Sequence, residues 1–137
     1  MPDALAGRDS LEDRLPKCIL LVDDNPAIRM ALRKFLEDHT EYQVCGEASD
    51  GLDAIEKAAV LHPDLVVLDL SMPRMDGLEA ARELKQRMPQ MHLILFTMHA
   101  AATNENEVVE AGFDAVISKT EGLQTLIDKV QTLLAPV

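Results

Sequence analysis

Five polar residues that could carry chemistry each follow a short apolar run of the sequence. Asp23 and Asp24 follow one run, Asp69 a second, Thr97 a third and Lys119 a fourth. Carboxylates that crowd together repel one another unless a cation joins them, and Mg²⁺ prefers oxygen ligands of this kind. An aspartate can also attack phosphorus, in a reaction that depends mainly on positioning and charge neutralisation. If these residues meet, they are suited to metal-assisted phosphoryl transfer.

The apolar runs alternate with helical patterns. Strands are predicted at Cys18–Val22, Tyr42–Ala48, Leu65–Leu68, His92–Phe96 and Ala115–Ser118, and helices from Pro26 and near 52–61, 78–88, 104–110 and 123–134. Strands that are apolar throughout are typical of a parallel sheet covered on both faces. Right-handed crossovers then predict a doubly wound α/β sandwich. Ligands of such folds bind beyond the carboxyl ends of the strands, where all five polar residues are expected.

Each of these residues also has an ordinary structural interpretation. Asp23 or Asp24 could cap the helix that Pro26 opens, although Asn25 is the better placed cap and would leave both aspartates free. Asp69 alone would be a solvated carboxylate, Thr97 a β-branched strand residue and Lys119 a surface lysine. Their shared position at strand ends favours the functional interpretation.

Length and charge narrow the classes of protein. The chain has 137 residues and a net charge of −11, which fits one domain and disfavours direct binding to nucleic acid. Residues 1–16 are predicted to be a flexible extension and 17–137 the domain. The apolar runs are too short to span a bilayer, and the charged amino-terminal segment lacks the apolar block of a signal peptide. These observations predict a cytoplasmic protein without a membrane partner.

Cys18 and Cys45 lie in apolar segments without the spacing of a metal site. Buried free thiols are favoured here over a disulfide or a functional pair.

Taken together, the motifs resemble those of the response-regulator receiver domains of two-component systems, over about 18–134. The resemblance rests on Asp23-Asp24, on Asp69 within Leu68-Asp69-Leu70-Ser71-Met72-Pro73, on Asp76-Gly77, on Thr97 and on Lys119, in the expected order. The stretch Ala111-Gly112-Phe113-Asp114 is also similar to the subfamily that carries a helix-turn-helix output domain. The resemblance implies a flavodoxin-like sandwich with strand order 2-1-3-4-5.

The resemblance also implies a role for each site residue. Asp69 would accept a phosphoryl group from a sensor histidine kinase, Thr97 would hydrogen-bond a phosphoryl oxygen and Lys119 would pair with the group's charge. Mg²⁺ or Mn²⁺ would be held by Asp24 directly, Asp23 through water, Asp69, and the backbone carbonyl of Ser71. Such a chain is a signalling phosphoacceptor, not an enzyme acting on other substrates. Phosphorylation would switch its conformation to control an output domain or partner, and would promote homodimerisation.

Val116 departs from the family pattern. The residue three before the lysine is usually aromatic and swings inward when the threonine engages phosphate, which the short, stiff valine cannot do. The substitution leaves phosphorylation unaffected but puts the usual switch linkage in doubt.

Three alternative functions are each disfavoured by particular residues of the chain. A phosphatase of the haloacid dehalogenase type needs an Asp-x-Asp pattern on the first strand, whereas this chain has adjacent Asp23-Asp24. A flavodoxin-like cofactor binder needs a phosphate-binding loop after the first strand, where Asp23 and Asp24 would repel a phosphate. A receiver fold kept only as a docking scaffold is disfavoured by intact Asp24, Asp69 and Lys119, although Val116 keeps it open.

Overall fold

The structure is a computed structural model, and it describes residues 16–70, 76–98 and 100–135. Strands and helices alternate along these residues. The strands are β1 (Cys18–Val22), β2 (Gln43–Ala48), β3 (Leu65–Leu68), β4 (His92–Thr97) and β5 (Ala115–Ser118). The helices are α1 (Pro26–His39), α2 (Gly51–Leu61), α3 (Gly77–Arg87), α4 (Glu105–Ala111) and α5 (Leu123–Leu134).

The strands form one parallel sheet in the order β2-β1-β3-β4-β5. This order confirms the predicted doubly wound α/β fold. Each strand is followed by a helix that crosses back over the sheet, so every strand runs the same way. The carboxyl ends of β1, β3, β4 and β5 therefore meet along one edge. Within the described part of the chain, no helix has both the length and the apolar character needed to cross a bilayer.

Successive strand residues point to opposite faces of the sheet, and both faces are buried. In β1, Leu20 and Val22 pack into the cluster covered by α2, α3 and α4. Ile19 and Leu21 pack into the other cluster, which α1 and α5 cover. These β1 side chains, on both faces of the sheet, are almost completely buried. This two-sided burial explains why the strand sequences show no alternation between apolar and polar residues.

The element boundaries differ from the predictions by one residue in several places. β2 begins at Gln43, α2 at Gly51 and α3 at Gly77. The two helices begin early because Asp50 and Asp76 cap them, each accepting a hydrogen bond from a backbone N–H three residues on. Short 3₁₀ segments after β4 (Ala100–Ala102) and after β5 (Lys119–Glu121) were not predicted. The sequence offers no apolar periodicity over three residues that could reveal them.

Two arginines of α1 attach this helix to β2 through one carboxylate. Arg29 Nε lies 2.9 Å from Glu47 Oε1, and Arg33 Nε lies 2.9 Å from Glu47 Oε2. Burial alone would raise the pKa of Glu47, but the hydrogen bonds and charges of Arg33 and Arg29 outweigh burial and hold this pKa below its ordinary value. Glu47 is therefore a charged anchor between the helix and the edge strand.

The prediction that Cys18 and Cys45 are free thiols is wrong, because the structure joins them in a disulfide between β1 and β2. Their Cα atoms lie 5.4 Å apart, within the range that a disulfide spans. The register of the two strands shifts between Ile19 and Leu20, which leaves Cys45 as an extra residue beside Cys18. A bulge of this kind cannot be seen in the sequence, so the pairing could not be predicted.

The disulfide yields a stability prediction. Its cysteines are 27 residues apart in sequence, and closing such a loop lowers the conformational entropy of the unfolded chain, which stabilises the fold by about 3.5 kcal/mol. Reduction should therefore lower the free energy of unfolding by up to that amount, measured by urea denaturation with and without a thiol reductant. The Cys18→Ala, Cys45→Ala double variant is the control, because its stability should not respond to reductant. Equal stability of oxidised and reduced wild type would contradict the assignment.

Candidate functional site

The sheet brings the predicted site residues to its carboxyl edge. Asp23 follows β1 directly, and Asp69 follows β3, the strand that pairs with β1. Thr97 is the last residue of β4, and Lys119 follows β5. The parallel order places these strand ends side by side, so residues up to 96 positions apart in sequence come into contact.

Three carboxylates form the centre of the site. Asp23, Asp24 and Asp69 each offer an oxygen atom, and these atoms all lie within 4.8 Å of one another. Asp23 and Asp69 are 3% and 8% exposed, whereas Asp24 is open to solvent. Two nearly buried carboxylates therefore lie beside an accessible one.

Lys119 neutralises part of this charge. Its Nζ atom lies 2.7 Å from Asp23 Oδ2 and 3.3 Å from Asp69 Oδ2, and its side chain is only 10% exposed. One ammonium thus bridges the two buried carboxylates in a region where water screens charge poorly. Among these four residues, three aspartates against one lysine leave an excess of two negative charges.

Backbone hydrogen bonds fix the orientation of both buried aspartates. Asp23 donates its N–H to the Ala48 carbonyl, and its Oδ1 accepts from Asn25 N at 2.9 Å. Asp69 donates its N–H to the Val22 carbonyl, and its Oδ1 accepts from Leu70 N at 2.7 Å. In both residues the bonded Oδ1 leaves Oδ2 directed at Lys119.

The helix cap and the glycine of the site also have clear roles. Asn25 caps α1, with its side chain accepting from Ala27 N and Ile28 N, so the expectation that the cap falls to Asn25 is confirmed. Gly77 begins α3 against the Asp69 backbone, where an added Cβ would lie 2.4 Å from the Asp69 carbonyl oxygen. Any larger residue at position 77 would push α3 away from the site. The close approach gives a physical reason for the Asp76-Gly77 motif.

Thr97 is fully buried at the end of β4, where it pairs with Ser118 of β5. Its place one strand beyond Asp69 agrees with the predicted location, and its hydrogen bond to a phosphoryl oxygen stays a prediction. Ser71, predicted to offer its carbonyl to a metal, lies outside the described residues. Val116 lies opposite Leu95 and is 37% exposed, so its side chain lies partly on the surface of β5.

The donor set suits a hard divalent cation. Carboxylate oxygens are the ligands that Mg²⁺ and Mn²⁺ favour, whereas Zn²⁺ and copper favour nitrogen and sulfur. The excess of two negative charges among Asp23, Asp24, Asp69 and Lys119 matches a divalent ion. Exposed Asp24 also leaves room for the water ligands that Mg²⁺ retains.

One pair of residues near the site, Arg29 and Glu47, was not predicted from the sequence. Arg29 of α1 donates from Nη1 to the backbone carbonyl of Asp23, while its Nε binds Glu47. Arg29 and Glu47 are 18 residues apart, on different elements. On a helix surface and at a sheet edge both residues are typical of solvated positions, so no sequence signal could have found the pair.

Comparisons with known proteins agree with this geometry. The family model described as "Response regulator receiver domain" matches residues 19–131. The response regulator protein VraR of Staphylococcus epidermidis is 34% identical over 113 residues, which cover 82% of this chain and 54% of that protein. The chain thus spans about half the length of the curated relatives it matches.

Solved structures give the same result. A two-component response regulator of the LuxR family from Aurantimonas sp. SI85-9A1 superposes with a TM-score of 0.80 at 32% identity, covering 88% of this chain and 86% of that one. The response regulator protein TrrA from Thermotoga maritima, solved with Mg²⁺ and BeF, gives a TM-score of 0.78 at 33% identity, covering 86% and 99%. On these grounds the chain belongs to the response regulator receiver domain family of two-component systems.

Proposed function

We propose that Asp69 accepts a phosphoryl group from a sensor histidine kinase, at a site completed by Mg²⁺ or Mn²⁺. The observation that carries this proposal is the position of the Asp69 carboxylate between the Lys119 ammonium and the acidic pair Asp23 and Asp24. Family membership alone leaves open whether the chemistry is retained. A receiver kept only as a docking scaffold would have no need of such a cluster.

In this reaction an Asp69 carboxylate oxygen attacks phosphorus, and the bond from phosphorus to the donor's imidazole nitrogen breaks as the acyl phosphate forms. Lys119, whose Nζ lies 3.3 Å from Asp69 Oδ2, would pair with the incoming phosphoryl charge, and Thr97 would donate a hydrogen bond to one of its oxygens. When bound, the divalent ion would neutralise part of the negative charge of the phosphoryl group and the carboxylates. Asp23, Asp24 and Asp69 would hold it, together with the carbonyl of Ser71.

The wider role is proposed on the same basis. The chain would act as a phosphoacceptor in signalling, without turnover of other substrates, and would control an output domain or partner. Relatives described as LuxR-family regulators support a link to transcription. The extent of the domain, residues 17–137, and the extension before it stay predictions.

We place the protein in the cytoplasm, where phosphorelay takes place. Disulfides rarely persist in that compartment. The Cys18–Cys45 pair should therefore be reduced in protein alkylated at the moment of cell lysis and form its disulfide in oxidising buffer, and an oxidised pair at lysis would argue against this location.

The first test concerns the phosphoacceptor. Asp69→Asn should abolish phosphoryl incorporation from acetyl phosphate, because the amide removes the nucleophilic oxygen. Incorporation is measured by intact mass and by phosphate-affinity gel shift. Asp38→Asn, which changes an exposed aspartate paired only with Lys34 among the described contacts, is the matched control and should incorporate normally. Undiminished labelling of Asp69→Asn would refute the proposal and favour another acceptor.

The second test concerns the metal. Asp24→Ala should weaken Mg²⁺ binding by roughly tenfold or more, since it removes the accessible carboxylate of the cluster. Without metal the same variant should be as stable as wild type, or more stable by up to ~1 kcal/mol, because one repelling charge is gone. Calorimetric titration and thermal unfolding measure the two effects. Normal Mg²⁺ affinity in Asp24→Ala would exclude the ligand role.

The third test concerns self-association. Phosphorylation is expected to promote a homodimer, so beryllofluoride, which imitates the aspartyl phosphate, should increase the sedimentation coefficient in the presence of Mg²⁺. Asp69→Asn is the control that cannot take the adduct. A wild-type monomer that is unchanged by beryllofluoride would rule out dimerisation as the response of this chain.

A further inference from the structure

The peptide group that links Asp23 to Asp24 accepts a hydrogen bond from an arginine side chain. Arg29 Nη1 donates a hydrogen bond to the Asp23 carbonyl oxygen. The other polar groups of Asp23 are also engaged, by Ala48, Asn25 and Lys119. The carbonyl is the only one of these groups that belongs to the peptide bond leading to Asp24. Its orientation sets the plane of the peptide bond from which the Asp24 Cα and side chain extend.

Arg29 is itself held in place. Its Nε lies 2.9 Å from Glu47 Oε1, and its side chain is 17% exposed. Glu47 is in turn fixed on β2, where Lys57 donates to its backbone carbonyl and Arg33 binds its second carboxylate oxygen. Because the pKa of Glu47 lies below its ordinary value, Glu47 stays ionised at neutral pH. The Arg29 guanidinium thus binds the fixed Glu47 carboxylate and the Asp23 carbonyl at the same time.

We propose that Arg29, anchored by Glu47, is a positioning residue that orients the Asp23–Asp24 peptide and thereby directs the Asp24 carboxylate toward Asp69. This proposal rests on the proposed metal-assisted phosphoryl transfer at Asp69. Neither Arg29 nor Glu47 belongs to the cluster of three carboxylates that would hold the cation. Their effect on the site passes through the backbone between the two metal-binding aspartates.

A purely electrostatic role for Arg29 predicts the opposite result. A positive charge near an acidic cluster disfavours the binding of a cation, so its removal should increase Mg²⁺ affinity. If Arg29 positions Asp24, its removal should decrease Mg²⁺ affinity despite the loss of a repelling charge. Mutation of a residue that orients a metal ligand typically lowers the metal affinity or the activity by roughly 10–100-fold. The sign of the change therefore separates the two roles.

Arg33 provides a matched control. It shares Glu47 with Arg29 and lies one helical turn further along α1. Its Nη1, however, donates to the Val44 carbonyl instead of to the Asp23 carbonyl that Arg29 binds. Arg33→Gln should lose the ion pair with Glu47 while leaving the Asp23–Asp24 peptide in place.

The experiment measures Mg²⁺ affinity by calorimetric titration in wild type, Arg29→Gln, Arg29→Lys and Arg33→Gln. Arg29→Gln should bind Mg²⁺ roughly tenfold more weakly than wild type. Arg29→Lys should also bind more weakly, because an ammonium keeps the charge but lacks the planar fork that reaches two acceptors. Arg33→Gln should stay within about twofold of wild type, since the contact to Asp23 is unchanged. Equal or tighter binding by Arg29→Gln would overturn the proposal.

A second measurement needs no metal. In the metal-free proteins, the ¹H–¹⁵N signal of the Asp24 amide should shift in Arg29→Gln and stay near its wild-type position in Arg33→Gln. Circular dichroism establishes that each variant is folded, and Arg29→Lys carries both measurements if Arg29→Gln does not fold. An unmoved Asp24 signal in both Arg29 variants would reject the positioning role.

The two measurements also separate this proposal from the function on which it rests. If wild type neither binds Mg²⁺ nor takes a phosphoryl group, the proposed function fails. The Asp24 amide signal of the metal-free proteins still decides whether Arg29 orients the Asp23–Asp24 peptide. If wild type binds Mg²⁺ and is phosphorylated on Asp69, but Arg29→Gln behaves like Arg33→Gln, only the positioning role fails.

Discussion

Lys119 bridges two carboxylates that the fold forces together, and the rest of the site depends on this contact. Asp23 and Asp69 follow neighbouring strands and are almost buried, so each would be costly to keep ionised without a partner. One ammonium at 2.7 and 3.3 Å gives both a partner. Because one positive charge offsets only one of the three carboxylates, an excess of two negative charges remains among these four residues. This remaining charge matches a divalent cation, and under the proposed function the same ammonium pairs with the phosphoryl group.

The α/β sandwich makes this contact possible by holding the strand ends in register. β1 and β3 are buried on both faces between two layers of helices, so neither strand can slide without exposing apolar side chains. Gly77 lets α3 begin against the Asp69 backbone, at a distance that no side chain would permit. Asn25 caps α1 and also donates its N–H to the Asp23 side chain. Fold stability and site geometry thus rely on the same residues.

A second set of contacts reaches the site from the edge of the sheet. Glu47 on β2 anchors Arg29, and Arg29 binds the carbonyl between the two aspartates. The Cys18–Cys45 disulfide joins β1 to β2 at the opposite end of the same strand pair. β2 is therefore tied to β1 covalently near its start and through Arg29 near its end. An edge strand without a functional residue of its own gains a role in orienting the acidic pair.

The sequence by itself determined the order of elements, the doubly wound sheet and the residues that gather at its carboxyl edge. Two regularities make this possible: strands buried on both faces are apolar throughout, and parallel strands end at one edge. Contacts that depend on register or on side-chain reach were decided only by the tertiary structure. The bulge that sets Cys45 beside Cys18 leaves no mark in the local pattern. The approach of Arg29 to Asp23 and Glu47 also leaves no mark in the sequence, because Arg29 and Glu47, each taken alone, are indistinguishable from solvated surface charges.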